Sequence, residues 1–144
     1  MKLKTANLAY MAGFFDGEGT IGLGNRSGRP NQYRVYISIA NTNEWIIRWF
    51  QFNFGGHIAF EDKQSQNPNW QDAWRWSITG GQQALKFLQA ICPYLILKKL
   101  QAELAIIFQS RHSKVGKRMS TKTALLDEAN KILMGNLNSS KGRK

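Results

Sequence analysis

The clearest pattern in the chain is a strict alternation of side chains between residues 32 and 39. Its apolar positions are Tyr33, Val35, Ile37 and Ile39, and its polar positions are Gln32, Arg34, Tyr36 and Ser38. A period of two predicts a β-strand with one buried and one solvated face. Similar alternation at 19–24, 58–63 and 74–78 predicts three more strands, joined into two hairpins by polar turns at 25–31 and 64–71.

Helical spacing occupies most of the remaining chain. Residues 6–16 predict a first helix with Thr5 as its N-cap, and a second helix is predicted to run to about Phe54 with Thr42 or Asn43 as its cap. The second helix is expected to bury Trp45, Ile46, Trp49 and Phe50. Further helices are predicted at 82–91, 95–110 and 123–134.

The order of these elements predicts an αββαββα arrangement followed by C-terminal helices. Alternating strands of this kind favour the α+β class, with one curved four-stranded antiparallel sheet covered by helices on one face only. The 144 residues suit a single domain, 1–144, whose polar, basic segment 136–144 is expected to be a flexible tail.

Charge narrows the choice of partner. Lys and Arg number 20 against 9 Asp and Glu, so the formal net charge is +11. A domain this basic favours nucleic acid, although an acidic membrane surface or simple solubility remains an alternative. No segment is long and apolar enough to span a membrane, and the apolar run near the N-terminus ends in Asp16 and Glu18 without a cleavage region. We therefore expect an intracellular protein with no membrane partner.

The solvated face of the predicted sheet is rich in residues that contact bases and phosphates. Arg, Gln, Tyr and Ser side chains suit the major groove, which admits a two-stranded ribbon. The candidate DNA-binding residues are Arg26, Gln32, Arg34, Tyr36, Ser38, Glu61, Lys63, Arg75 and Ser77. A basic loop at 111–122 is either solvated or contacts phosphates beside the bound duplex.

The first helix carries small residues at a spacing of four. Ala9, Gly13 and Gly17 form one such series, and Leu8 and Ala12 form another. Small residues on one stripe let two helices approach closely. The stripe packs either inside one subunit or against a second copy, and the acidic end of the helix favours the second copy.

The segment Met11–Gly19, MAGFFDGEG, resembles the signature of the LAGLIDADG homing endonucleases. The segment Pro93–Ala102 also resembles the part of the single-motif members that carries an active-site lysine. One copy of the motif implies an isologous homodimer, joined through this helix and acting on a long pseudo-palindromic DNA target. The implied interface residues are Leu8, Ala9, Ala12, Gly13 and Asp16.

The resemblance also implies roles in catalysis. Glu18 corresponds to the metal-binding acid, and Gly17 would offer its backbone carbonyl to the same ion. Hard oxygen ligands favour Mg²⁺, with Mn²⁺ as an alternative and Ca²⁺ as a substitute that does not support cleavage. Lys98 would lie near the scissile phosphate. Asn41 would orient solvent near the cut or, equally, would be a turn residue or helix cap.

The implied function is a site-specific, Mg²⁺-dependent endonuclease, encoded by an intron, that hydrolyses phosphodiesters on both strands of double-stranded DNA. Two alternatives remain within the same fold: a maturase that binds intron RNA, and a DNA-binding protein that does not cleave. The presence of both Glu18 and Lys98 argues against an inactive site, although it is compatible with a second activity on RNA.

Overall fold

The computed structural model describes residues 2–112 and 120–139. The helices are Thr5–Glu18 (α1), Glu44–Phe54 (α2), Gly81–Ile91 (α3), Lys99–His112 (α4) and Thr121–Asn138 (α5), with a short 3₁₀ helix at Cys92–Tyr94. The strands are Gly19–Arg26 (β1), Arg29–Asn41 (β2), His57–Glu61 (β3) and Ala73–Thr79 (β4). The predicted α+β class and αββαββα order are confirmed.

The strands form one sheet of four in the order β1-β2-β4-β3, and every neighbouring pair is antiparallel. Ile37 of β2 lies opposite Ile21 on one side and Ile78 on the other. These three residues are buried in the cluster that also contains the inward side chains of the helices. Alternation along a strand turns the neighbours of these residues to the opposite face, so the helices cover one face of the sheet, as predicted.

Aromatic rings fill the middle of the core. The Phe87 ring centroid lies 5.0 Å from that of Trp76 and 5.4 Å from that of Phe15, and both pairs meet edge to face. Trp76 donates its indole N–H to the carbonyl oxygen of Gly55 at 2.7 Å, so its one polar atom is satisfied inside the core. This contact fastens the end of α2 to the centre of β4.

The second helix buries a slightly different face from the one predicted. Trp45 is 67% exposed, whereas Ile47 is fully buried. Trp45 lies in the first turn and stacks on Trp49, with ring centroids 5.7 Å apart, instead of entering the core. The cap is as expected, because the Asn43 side chain accepts the N–H groups of Trp45 and Ile46.

Element boundaries differ from the predictions where local contacts decide them. Lys4, not Thr5, is the residue that caps α1, and it makes no side-chain cap hydrogen bond. The first hairpin is longer than expected, with a turn at 27–28 in place of 25–31. Backbone pairing between β1 and β2 stabilises the residues that extend these two strands beyond their predicted ends.

The last helix extends beyond the predicted end at residue 134 and covers the outer edge of β1. Asn138 donates to the carbonyl oxygen of Ile21 at 2.8 Å, and the Lys131 ammonium donates to that of Leu23. These bonds occupy backbone acceptors that an edge strand would otherwise leave open. The prediction of a flexible tail from residue 136 is therefore wrong for 136–138, which belong to α5. Residues 140–144 lie outside the described part of the chain.

Two residues of the predicted basic loop belong to α4 instead. Arg111 and His112 both contact the carboxylate of Asp127 at 2.8 Å, and Asp127 is buried. The contact ties α4 to α5, so these two side chains are held by Asp127 and do not belong to a loop. Lys114, Lys117 and Arg118 lie outside the described residues. None of the helices in the described part of the chain could cross a membrane.

Two glycines give a matched test of this packing. Gly56 has φ +94°, and an added Cβ would lie 2.7 Å from the Ser77 carbonyl oxygen. Gly56→Ala should lower the free energy of unfolding by about 1–3 kcal/mol, measured by urea denaturation. Gly135, in α5 with open space around it, should tolerate alanine and gain about 0.5–1 kcal/mol. Equal midpoints for Gly56→Ala and the wild type would contradict this account.

Candidate functional site

The junction between α1 and β1 is tightly packed. The Gly19 N–H donates to the Phe15 carbonyl oxygen and ends the helix. An added Cβ at Gly19 would lie 2.5 Å from the Phe15 ring, so only glycine fits. Because no loop separates the two elements, the acidic residues 16 and 18 are placed directly at the end of the sheet.

The two acids at this junction have different environments. Asp16 is 8% exposed, and its carboxylate accepts the backbone N–H groups of Ile96 at 2.7 Å and Lys98 at 2.9 Å. Glu18 is exposed at the last turn of the helix. Asp16 is therefore a structural brace within the subunit, and its place at the dimer interface stays a prediction.

The same brace explains where α4 begins. The sequence pattern predicts helix over 95–98, but α4 begins at Lys99. The N–H groups of Ile96 and Lys98 point to the Asp16 carboxylate, so this segment is an ordered bend. Tertiary hydrogen bonds here override the local helical preference.

Lys98 lies against the end of α1. Its ammonium donates to the backbone carbonyl oxygen of Asp16, next to Gly17. Both Gly17 and Lys98 line an open cleft of about 690 Å³ between α1, β1, α4 and α5. The cleft thus combines a fixed positive charge with the end of the helix that carries Glu18.

Three polar residues of this cleft are absent from the sequence-based prediction. They are Thr20, Gln101 and Asn138. Gln101 falls within the segment Pro93–Ala102, which resembles the lysine-bearing part of the family, so that segment does contain a signal. Asn138 lies in the expected flexible tail, and only the packing of α5 on β1 reveals its position.

Asn41 lies at the same end of the sheet, two positions beyond Ile39, the partner of Gly19. Its side-chain oxygen accepts the N–H of Asn43 at 2.8 Å. This hydrogen bond closes a turn before α2 and supports the structural alternative for Asn41 over a solvent-orienting role.

The outward stripe of α1 consists of Ala9, Gly13 and Gly17, all exposed. An added Cβ at Gly13 or Gly17 meets nothing within 4 Å, so packing inside the subunit does not require glycine there. Ala12 is 0% exposed and packs in the core, which corrects its assignment to the interface. Leu8 is half-buried at the edge of the stripe.

A hydrogen-bonded network joins three strands on the open face of the sheet. Tyr36 donates its hydroxyl to Ser38 Oγ at 2.8 Å, and Arg75 approaches the same oxygen at 3.4 Å. Arg75 also donates through Nε to Glu61, which forms an ion pair with Lys63 at 3.3 Å. The hydrogen bond from Arg75, followed by that from Lys63, holds the pKa of Glu61 below its ordinary value, against the opposite effect of burial.

The other candidate DNA-binding residues lie around this network. Arg26 and Arg34 are exposed, and Gln32 and Ser77 are half-buried. Ser38 is 1% exposed beneath its neighbours, so the expectation that it contacts DNA directly is corrected. The open face therefore presents Tyr36 and Arg75 above a buried hydroxyl.

Comparison with known proteins identifies the fold. No protein-family model matches the chain, and no curated protein sequence matches it. Solved structures do match, and they are homing endonucleases. The chain therefore has the homing-endonuclease fold.

Three matches cover nearly all of this chain. I-CvuI, solved in complex with its target in the presence of Ca, gives a TM-score of 0.76 at 21% identity, over 96% of this chain and 86% of that one. I-TnaI gives 0.58 at 16% identity, over 99% and 92%. I-SmaMI, bound to an uncleaved DNA target with calcium ions, gives 0.61 at 15% identity, over 99% of this chain and 48% of that one.

The two acids of α1 should differ in their effect on stability. Asp16→Asn replaces one acceptor oxygen by an NH₂ group that faces a backbone N–H, and should lower the free energy of unfolding by about 1–3 kcal/mol. Glu18→Gln should change it by less than about 0.5 kcal/mol, because Glu18 is exposed. Urea denaturation of both variants measures this, and equal losses would contradict the assigned roles.

Proposed function

We propose that this chain is a site-specific DNA endonuclease that acts as a homodimer and hydrolyses one phosphodiester on each strand. The observation that carries the proposal is the division between the two acids of α1. Asp16 is engaged in bracing Ile96 and Lys98, while Glu18 is exposed two residues further along the same helix end. An exposed carboxylate on the helix end that also holds the Lys98 ammonium suits a phosphodiester site, where charge develops on oxygen.

The fold supports the same activity. I-CvuI was solved with its own target and, in a second structure with Mg, with the I-CreI target not cleaved. The present chain has a four-stranded sheet with one face free of helices and lined by Arg26, Arg34, Tyr36 and Arg75. The whole chain has a net charge of +11, and this face would bind the backbone and base edges of a duplex.

The oxygen ligands that one subunit offers could hold a divalent metal only as part of a larger site. No group of three His, Cys, Asp or Glu that could hold an ion occurs among the described residues. One subunit offers the Glu18 carboxylate and the Gly17 carbonyl, which are hard oxygen ligands suited to Mg²⁺ or Mn²⁺. The second subunit, DNA phosphates and water would complete the site. When bound, the metal would lower the pKa of water and stabilise the leaving 3′ oxygen.

Lys98 would act on the phosphate itself. The Asp16 carboxylate fixes its backbone N–H, and the Asp16 carbonyl oxygen accepts its ammonium. A charge held in this way needs little reorganisation when negative charge grows on the phosphate. The cleft around Lys98 is wide enough for a sugar–phosphate segment and its water.

Dimerisation would bring two such half-sites together. The exposed Ala9–Gly13–Gly17 stripe allows close contact with a second helix, and the segment beside it exposes Ile96 at 83% and Leu97 at 73%. Large exposed apolar side chains next to a small-residue stripe favour a protein interface. The chain spans about half the length of I-SmaMI, which is consistent with two copies doing the work of one longer chain.

RNA binding is a second candidate, because several aromatic rings are exposed where the sequence predicts mostly inward positions. Trp45, Phe52, Phe60 and Trp70 are each more than half exposed. Exposed aromatic rings can stack on unpaired bases of an intron RNA. This candidate requires no cleavage, so an assay for double-strand cleavage separates it from the nuclease.

Cleavage should depend on Glu18 and binding should not. Glu18→Gln keeps the shape of the side chain but removes its charge, so double-strand cleavage of the insertion site with Mg²⁺ should fall by at least about 100-fold. Binding to the same duplex in Ca²⁺ should change less than about threefold. Glu103→Gln, an exposed acid on α4, is the control and should cleave normally. Equal cleavage by wild type and Glu18→Gln would remove Glu18 from the site.

The stripe on α1 should control the oligomeric state. Gly13→Leu places a branched side chain where the second helix would pass, and sedimentation velocity should show a monomer. Gly135→Leu, at an exposed helical glycine of α5, should leave a dimer. A Gly13→Leu protein that remains dimeric would move the interface elsewhere.

A further inference from the structure

We propose that Arg75 selects a guanine in the target and that Glu61 and Ser38 hold its guanidinium in place for this task. The inference rests on the proposed DNA-binding function. It assigns Arg75 a base-reading role, and it assigns the other two residues a positioning role.

The position of Arg75 in the sheet suits base reading. It lies on β4, an interior strand, opposite Ala40 of β2 and Ala59 of β3. Both neighbours have the smallest side chain other than glycine, so the guanidinium stands above the surrounding surface. Its side chain is 39% exposed in spite of its central place.

Hydrogen bonds fix this side chain on two sides. Arg75 donates through Nε to Glu61 and through Nη1 to Ser38 Oγ at 3.4 Å. A guanidinium has five N–H donors, so about three remain for a base. An arginine that presents two parallel donors matches O6 and N7 of guanine, the commonest specific contact in the major groove.

The charge of Glu61 favours a base-reading role for Arg75 over a phosphate-binding role. Arg75, together with Lys63, holds the pKa of Glu61 below its ordinary value, so Glu61 offsets the charge of Arg75 and the net positive charge of the cluster falls to Lys63. A neutral pair gains little from the phosphate backbone but keeps its directional donors. Arg34, exposed on the same face, makes no ion pair with any acid in residues 2–112 or 120–139, and therefore suits phosphate contact.

Ser38 supports the arrangement from below. Its hydroxyl is buried and accepts hydrogen bonds from both Tyr36 and Arg75. Because Ser38 has almost no exposed surface, it affects DNA only through these two side chains. Ser38→Ala should weaken the selection of guanine, and Ser38→Thr, which keeps the hydroxyl, should restore it.

The experiment compares base preference and salt dependence. The wild type, Arg75→Ala and Glu61→Gln each select from a randomised duplex library in Ca²⁺, and the recovered pools are sequenced. Arg48→Ala is the matched control, because Arg48 forms an ion pair with Glu44 on α2, on the other side of the sheet. Affinity for the selected duplex is then measured across a range of salt concentrations.

The change in base preference should be confined to one base pair in each half-site. Arg75→Ala should lose a guanine preference by at least about fivefold at one base pair in each half-site, with other positions within about twofold. The salt slope is the change in log affinity with log salt concentration. It should stay unchanged for Arg75→Ala, whereas Arg34→Ala should reduce it by about one. Glu61→Gln should weaken the same preference and increase the salt slope, because the released Arg75 can bind phosphate. Arg48→Ala should match the wild type.

Three different results would overturn the inference. If the wild type selects a defined sequence and Arg75→Ala selects the same one, the ion pair is structural and the proposed function stands. If Arg75→Ala instead weakens binding uniformly and lowers the salt slope, Arg75 contacts phosphate and does not read a base, and the proposed function again stands. If the wild type selects no sequence at all, the site-specific function fails together with the inference.

Discussion

The candidate site depends on one buried carboxylate. Asp16 binds the backbone N–H groups of Ile96 and Lys98, and so joins the end of α1 to the bend before α4. These residues lie about 80 positions apart in sequence, and their contact is what places a lysine beside the acidic helix end. Losing either oxygen would leave a part-buried backbone donor without its partner, which is costly.

The sheet supplies the second half of the architecture. Its helices all lie on one side, so the residues between the buried positions are free to face a ligand. Those residues are not independent of one another. Tyr36, Ser38, Arg75 and Glu61 share hydrogen bonds across three strands, and this fixes the orientation of side chains that would otherwise be flexible. Rigid polar groups lose less entropy on binding than flexible ones.

Periodicity in the sequence predicts the sheet, its buried face and most helices. It fails where a distant contact decides the outcome: the start of α4 is set by Asp16, and the end of α5 by Asn138 on β1. Alternation places Ser38 on the correct face but says nothing of its neighbours, which cover it. Small-residue spacing likewise cannot tell Ala9, which is exposed, from Ala12, which is buried. The motif names Asp16 and Glu18 together, and only the coordinates show that Asp16 is buried and hydrogen-bonded whereas Glu18 is exposed.

The central claim is that each subunit contributes one Glu18 to a shared centre. Mixed dimers test it most directly: wild-type and Glu18→Gln chains are unfolded together, refolded in varied ratios, and assayed for all strand breaks, nicks as well as double-strand cuts. If both carboxylates are needed at a shared centre, mixed dimers cut neither strand, so total strand breaks fall as the square of the wild-type fraction. If each subunit cuts its own strand with its own Glu18, mixed dimers nick one strand and total strand breaks fall linearly, which would contradict the account.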